Sequence, residues 1–580
     1  MSLPAVAPEV VAEAVAALPG RLRSKLDQTV ERVSGWTVTA TADGAVVTVD
    51  DQVTVTLTAP VDAADRVVCT CLLAPRCLHR TAVLAAAPVL DPAGEPPPAV
   101  EEELPALAAA GSPGEQVTPD GDQERPVTTA ELRAVELTEG AVAGVLAHGL
   151  PGAGAVLQAD LLRAVHQARA AGLPRLAAAG TRIVEQLRAA RRPAPDFRLA
   201  ELADDLREAL LVCHLLRSGQ GNPVAVRGVA RRGYHGVGEL RLYGLCVEPL
   251  RTRTGHVGAV TYLVDQRGTV WSVAQARPGD PGAARNPANA PVDLGEVRLS
   301  LRELSRAGIL AADASASVDR RLGHGRAVRA VRTDGRGWWA EPVAGLWREP
   351  PADQAGRWLS ARERAVHERP AGHDLAFLDG VIGGDRRGLL LHKPSRSGPV
   401  LVLAPQDDPV LPYVANLRAL VDHAAGRPVR LIGRFYGPRR VHGLAIAADW
   451  LPHRYEGHVD LGVDRLQRAD LPAAEPAGAA PPEPARPPLH LLTHHLRRVV
   501  AAGRTALIPD PDRDLRALLD AQLPTAAGAL AALRRAGQGR ERDAFGRLAH
   551  GDPAALASAW LTAACYVEAA GALATAEAWR

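Results

Sequence analysis

The sequence predicts a multidomain α+β protein: a small N-terminal β-meander with a helix, a helical bundle, a β-rich middle that admits small barrels, and a C-terminal helical domain. Three observations carry this. The spacing of apolar residues switches along the chain from helical to alternating and back. Two Pro-rich stretches interrupt it. A chain of 580 residues is also too long for one ordinary core.

Residues 1–90 open on PEVVAEAVAALPGRLRSKLDQTVERV, two short helices parted at Pro19-Gly20. WTVTAT, AVVTV and QVTVTLTAP then alternate as strands, with acidic turns at Asp43-Gly44 and Asp50-Asp51. TAVLAAAPVL closes the module as a short Ala-rich helix. Residues 91–127 are acidic and rich in Pro and Gly, the composition of a linker. Over 128–219, Thr128 or Thr129 ahead of Glu131 offers a capping start, and four runs from AELRAVELTEGAVAGVLAHGL to LAELADDLREALLVCHLLRSG keep helical spacing. Residues 220–465 alternate and break at Gly-containing turns, as one elaborate domain or two subdomains. One helix is expected there, in DPVLPYVANLRALVDHAAG. Residues 466–489 form a Pro-Ala linker, and 490–580 are helical again.

Composition excludes some functions. Lysine occurs only at Lys25 and Lys393, so the many arginines follow a coding bias and do not by themselves mark phosphate recognition. A formal charge of +2 supplies no global field for nucleic acid. Apolar runs are broken before reaching a membrane-spanning length of about 18 residues, and the start lacks the pattern of a leader peptide. The expectation is a cytoplasmic protein without a membrane segment.

Three of the six cysteines fall in VVCTCLLAPRCLHR. Cys69 and Cys71 are two apart, a spacing that turns both thiols to one face of an extended segment. Cys77 and His79 repeat it after a gap holding Pro75, which suits a turn back. Three thiolates and an imidazole form a soft set able to close a tetrahedron, the choice of structural zinc. Such a site would bind one structural Zn²⁺ per chain and leave no position for water or substrate. Arg66, Arg76 and Arg80 surround it, either to offset its negative charge or to touch phosphate.

This C-x-C, short gap, C-x-H pattern resembles the SWIM-type zinc finger, on Cys69, Cys71, Cys77 and His79. The resemblance implies a structural zinc and a module associated with binding protein or DNA. Leu78 stands where a lysine commonly precedes the family histidine. The layout of the whole chain resembles large actinobacterial SWIM zinc finger proteins, often encoded beside MoxR-type AAA ATPases and von Willebrand A-domain proteins.

No nucleotide loop, G-x-S-x-G or H-E-x-x-H motif occurs. The glycines of DGVIGGDRRG read as a turn. His490, His494 and His495 read as histidines at a helix start. Cys213 and His214 are adjacent on a helix and diverge, while Cys246 and Cys565 have the neighbours of core cysteines. Two stretches mix basic and aromatic residues: VRGVARRGYHG, and LIGRFYGPRRVHG with Arg434, Phe435, Tyr436, Arg439, Arg440 and His442. Trp338, Trp339 and Trp347 could anchor a protein partner. The sequence therefore predicts a non-enzymatic zinc protein acting through protein–protein interaction, and the resemblance implies a role as an accessory of a MoxR-type ATPase or von Willebrand A-domain system. The alternative is a nucleic-acid-binding protein using the finger and the Arg/aromatic turns.

Overall fold

The computed structural model describes residues 3–90, 125–191, 197–229, 233–251, 256–278, 287–289, 291–294, 297–323, 329–364, 368–385, 388–392, 398–405, 410–473, 487–507, 512–538 and 552–580. They divide into two compact units. The first holds the described residues of Met1–Glu95, Ala110–Ala230 and Pro487–Ala569, the second those of Arg231–Arg486 and Ala570–Arg580.

The chain begins with α1 (Pro8–Ala16), α2 (Gly20–Arg23) and α3 (Leu26–Arg32). Pro8 occupies the first position of α1, where the missing N–H has no intrahelical partner to lose. The expected meander follows as β1 (Thr37–Thr41), β2 (Gly44–Thr48), β3 (Thr54–Thr58) and β4 (Val67–Cys69), antiparallel in that order. Alternation sends Val47, Val55, Leu57, Val67 and Cys69 into the core. Helix α4 (Leu78–Ala86) buries Val83 and Leu84 against the same core.

The bundle is α5 (Thr129–Gly152), α6 (Ala155–Ala170), α7 (Pro174–Ala190) and α8 (Leu199–Ser218), followed by the short α9 (Pro223–Arg227). Thr128 caps α5 as expected. Its hydroxyl accepts from the Glu131 N–H, and the Glu131 carboxylate accepts from the Thr128 N–H. Near its end α5 is interrupted at Gly149, which has φ +66° and ψ −174°.

The second unit contains two β-sheet modules laid out in a similar chain order, of which the second closes into a barrel. In the first, β5 (Tyr234–Arg251), β6 (His256–Asp265) and β7 (Val270–Pro278) form a meander; β8 (Pro291–Leu294), β9 (Val297–Ser300) and α10 (Leu301–Leu304) then lead to β10 (Gly308–Ser317) and β11 (Arg329–Thr333). The long β5 pairs with β10 through its first half and with β6 through its second. A parallel bridge from Ser272 to Arg321 brings β7 beside the chain entering β11.

After α11 (Pro351–Arg362) the order repeats. Strands β12 (Leu375–Asp385), β13 (Gly388–His392) and β14 (Val400–Leu403), helix α12 (Tyr413–His423), then β15 (Pro428–Gly437) and β16 (Arg440–Ala447) form the barrel. It closes through the parallel β14–β16 pair, with β17 (Val459–Asp460) beside β16. A meander, a helix and two further strands, with strands three and five parallel, is the connectivity of the oligonucleotide/oligosaccharide-binding barrel. Of the glycines of DGVIGGDRRG, expected in a turn, Gly380, Gly383 and Gly384 lie in β12 and Gly388 opens β13. A Cβ on Gly384 would sit 2.3 Å from a Val421 methyl, so the glycine lets α12 approach the strand.

The chain ends in α13 (Leu489–Ala502), α14 (Arg513–Asp520), α15 (Pro524–Gly537) and α16 (Pro553–Trp579). In the first unit, residues 1–90, the bundle and the C-terminal helices share one apolar core, from Val10 and Leu84 through Leu146 and Leu206 to Leu496 and Trp560. In the sequence these three segments read as separate domains. The Pro-rich stretches lie mainly outside the described residues. The start of 466–489 is not linker: Leu471 is buried in the barrel's core, and Asp470 accepts a 2.6 Å bond from the Tyr455 hydroxyl.

Helix α16 is long and apolar enough, by length and composition, to cross a membrane, which the broken apolar runs of the sequence did not suggest. Its first turns bury Leu556, Trp560 and Ala563 in the first unit, with Trp560 Nε1 donating to Leu496 O. Its last turn places Trp579 in the second unit, edge-on to Phe435.

Candidate metal centre

Four side chains predicted from spacing come together. The ligand atoms of Cys69, Cys71, Cys77 and His79 all lie within 4.8 Å of one another. Around a tetrahedral zinc with Zn–S near ~2.3 Å, sulfur atoms stand roughly 3.8 Å apart, so the set closes on an ion by sub-ångström shifts.

Local structure explains the convergence. Cys69 ends β4, and the chain stays extended through Thr70 because Thr70 N–H donates to Thr54 O at 3.0 Å while Thr54 N–H donates to Thr70 Oγ1 at 2.9 Å. That clamp keeps Cys71 on the side of Cys69. Ala74 N–H donates to Cys71 O and starts the return, and the Ala74–Pro75 peptide is cis. Cys77 is the N-cap of α4; its sulfur accepts the Arg80 N–H at 3.4 Å. His79 follows in the first turn of α4, its ring edge-on to Trp36 with centroids 6.2 Å apart.

The electrostatics favour a bound cation. Burial, with the neighbouring Cys77 charge adding to it, pushes the Cys69 thiol up to about 12, and burial likewise raises Cys77. At Cys71 burial is outweighed by the hydrogen bond with His79 and by further donors, leaving it at about 7. Three thiols this close resist ionising together unless a cation is among them. The His79 Nδ1 is buried without a hydrogen-bond partner, as a ring oriented towards an ion would be. The donor set fits one metal ion, with every tetrahedral position taken by protein.

Of the three nearby arginines, Arg80 is buried. Its guanidinium donates to Val67 O at 2.9 Å and Ala64 O at 2.6 Å, tying α4 to the start of β4 while standing near the Cys77 and Cys69 sulfurs. Arg66 and Arg76 are exposed. Thr70, Trp36 and the anchoring role of Arg80 escaped the sequence reading. Only Thr70, set between two ligands, carried any local signal.

The other candidates are dispersed. His495 is buried and paired with Asp514 at 2.9 Å, while His490 and His494 are exposed. Cys213 is buried in the bundle, His214 faces away, and Cys246 is a core residue of the second unit. In LIGRFYGPRRVHG most groups turn inward. Arg434 is ion-paired with Glu248 and Asp374 and donates to the Tyr262 hydroxyl at 3.0 Å. Phe435 stacks on Trp358, and Arg439 donates to Ala578 O with its guanidinium 6.0 Å from the Trp579 ring. Tyr436 remains exposed, lying against His442 with centroids 4.3 Å apart. Of VRGVARRGYHG, residues 230–232 lie outside the described residues, and Arg227 is buried against Glu131.

Among the tryptophans, Trp338 is buried and donates to Leu245 O at 3.1 Å. Trp347 packs on Trp338, and Trp339 is half exposed with the Arg430 guanidinium 5.2 Å away.

A two-unit α+β chain carrying a Cys₃His cluster compatible with one metal ion is the class that fold and site define. Comparison with protein-family models, with curated proteins and with solved structures gives no match.

Proposed function

We propose that the cluster holds one structural Zn²⁺ in a SWIM-like finger, and that the protein is a non-enzymatic cytoplasmic scaffold that binds another protein. The observation that carries this reading is the loop between the two ligand pairs. Leu72 is fully exposed and Leu73 is 63% exposed, beside Val68 at 60%. An apolar knuckle held out by a closed metal cluster suits a partner's pocket better than it suits water. Because all four ligands come from the chain, the ion supports this loop and activates no water. The resemblance to proteins encoded beside MoxR-type ATPases and von Willebrand A-domain proteins makes either of these the first candidate partner. Nucleic-acid binding is the weaker reading, since Arg434, Phe435 and Arg439 are engaged within the fold.

Affinity capture at low and physiological salt, with nuclease treatment in parallel, tests the proposal. One stoichiometric protein should survive nuclease and moderate salt, and should be lost in a Leu72→Asp/Leu73→Asp variant that keeps its metal. Capture of nucleic acid alone, falling steeply with salt, would overturn the reading.

A further inference from the structure

The meander has two edges, and they differ. The β4 edge is occupied, because Arg80 of α4 donates to Val67 O. Strand β1 packs on β2 and makes no comparable contact with any other described element.

Which groups the free edge presents follows from the ladder. Val49 N–H donates to Val53 O beyond the end of the β2–β3 pair, and Ala59 N–H donates to Asp43 O at its other end. Hydrogen-bonded pairs alternate in an antiparallel ladder, so Val47 and Ala45 face β3 while Gly44, Val46 and Thr48 face β1. Their partners Thr48↔Thr37, Val46↔Thr39 and Gly44↔Thr41 therefore use their main-chain groups within the sheet. The N–H and C=O of Val38 and Ala40 point outward, two donors and two acceptors in alternation.

We propose that this edge pairs with the same edge of a second copy of the chain, antiparallel about Thr39. In that register Val38 faces Ala40 of the second copy and Ala40 faces Val38, so all four outward groups on each edge are used in four hydrogen bonds. Thr39 meets its own counterpart in a non-hydrogen-bonded pair, and Thr37 meets Thr41. The side chains agree. Thr37, Thr39 and Thr41 share the face of Val46, Thr56 and Val68, while Val38 packs towards the core, so both faces of the sheet run on across the axis.

A two-fold axis sets a segment against itself, so any charge would meet its like. Thr37–Thr41 reads TVTAT, with no charge, proline or bulge, the devices by which sheet edges usually avoid such pairing. The strand is only five residues long. Edge pairing alone buries less than the roughly 1,200 Å² of a stable interface, so the dimer should be concentration-dependent.

Sedimentation of the full metal-loaded chain from low to high micromolar concentration, joined to cysteine cross-linking, tests this. In a non-hydrogen-bonded pair the Cα atoms lie about 4.5 Å apart, within disulfide reach. Thr39→Cys should give a covalent dimer under mild oxidation, whereas Thr37→Cys, which faces Thr41, and the wild-type chain should not. Ala40→Pro removes an outward N–H without touching the β1–β2 ladder, and should weaken dimerisation about tenfold or more. Should that variant lose its metal or its fold, the cross-linking pair decides alone. A wild-type chain that stays monomeric throughout, Thr37→Cys cross-linking as well as Thr39→Cys, or a dimer indifferent to a folded Ala40→Pro would each overturn the proposal.

Discussion

Replacing Glu131 with alanine should destabilise the first unit by about 4 kcal/mol, and the structure shows why. The side chain is fully buried. One carboxylate oxygen accepts from Arg227 Nε at 2.7 Å and Arg125 Nη2 at 3.1 Å, and the other from the Thr128 N–H at 2.7 Å. Alanine leaves the buried Arg227 with backbone carbonyls alone, a loss of about 3–5 kcal/mol for a broken buried pair, and removes half of the capping box, worth about 1 kcal/mol. The two losses share one carboxylate and do not simply add.

Glu131→Gln keeps an acceptor and should cost about 1–3 kcal/mol. Burial by itself would raise the Glu131 pKa; the bond from Arg227 and the Thr128 donors outweigh it and hold the carboxyl below its ordinary value. A depressed folded-state pKa means the stabilisation is complete above the ordinary carboxylate range and fades as pH falls through the folded value. Urea unfolding at neutral and acid pH, with amide exchange read in α5, should show a large gap between wild type and Glu131→Ala that narrows in acid. A neutral-pH difference below about 1 kcal/mol, or a gap of equal size at both pH values, would refute the reasoning.

Gly149→Ala should also be severe. Its backbone lies in a region open almost only to glycine, and a Cβ there would stand 2.3 Å from the Gly503 nitrogen, so the ends of α5 and α13 would have to part. A loss of about 3 kcal/mol or more in thermal unfolding is expected, against almost none for Gly140→Ala, whose Cβ position is open. Leu72→Asp/Leu73→Asp should leave the melting temperature within a degree or two, because neither side chain is buried; an appreciable fall would assign the loop to the fold instead of to a partner.

What could be read in the sequence was what is local. Cys69 to His79 span one strand end, one turn and one helix start, so spacing alone aligned the four ligands. The Thr128–Glu131 box and the four bundle helices were legible for the same reason. Barrel closure was not, because it depends on β14 meeting β16 in parallel across the intervening α12 and β15. Nor could the sequence show that Arg434 turns inward. Its partner Glu248 lies 186 residues away, and Val247 N–H donates to Asp460 across 213 residues. A basic–aromatic turn looks the same in sequence whether its arginine faces a ligand or a buried carboxylate. The shared core of residues 1–90, the bundle and the C-terminal helices was hidden because each segment has a complete amphipathic pattern of its own, and a pattern marks an apolar face without naming what covers it.

Metal analysis of the purified chain tests the central claim most directly. One zinc per chain is expected in the wild-type protein and none in a Cys69→Ser/Cys77→Ser variant, with amide exchange rising first in β4 and the start of α4 as the ion is removed. Full zinc occupancy persisting in that double variant, or a wild-type chain that binds no metal, would contradict the account.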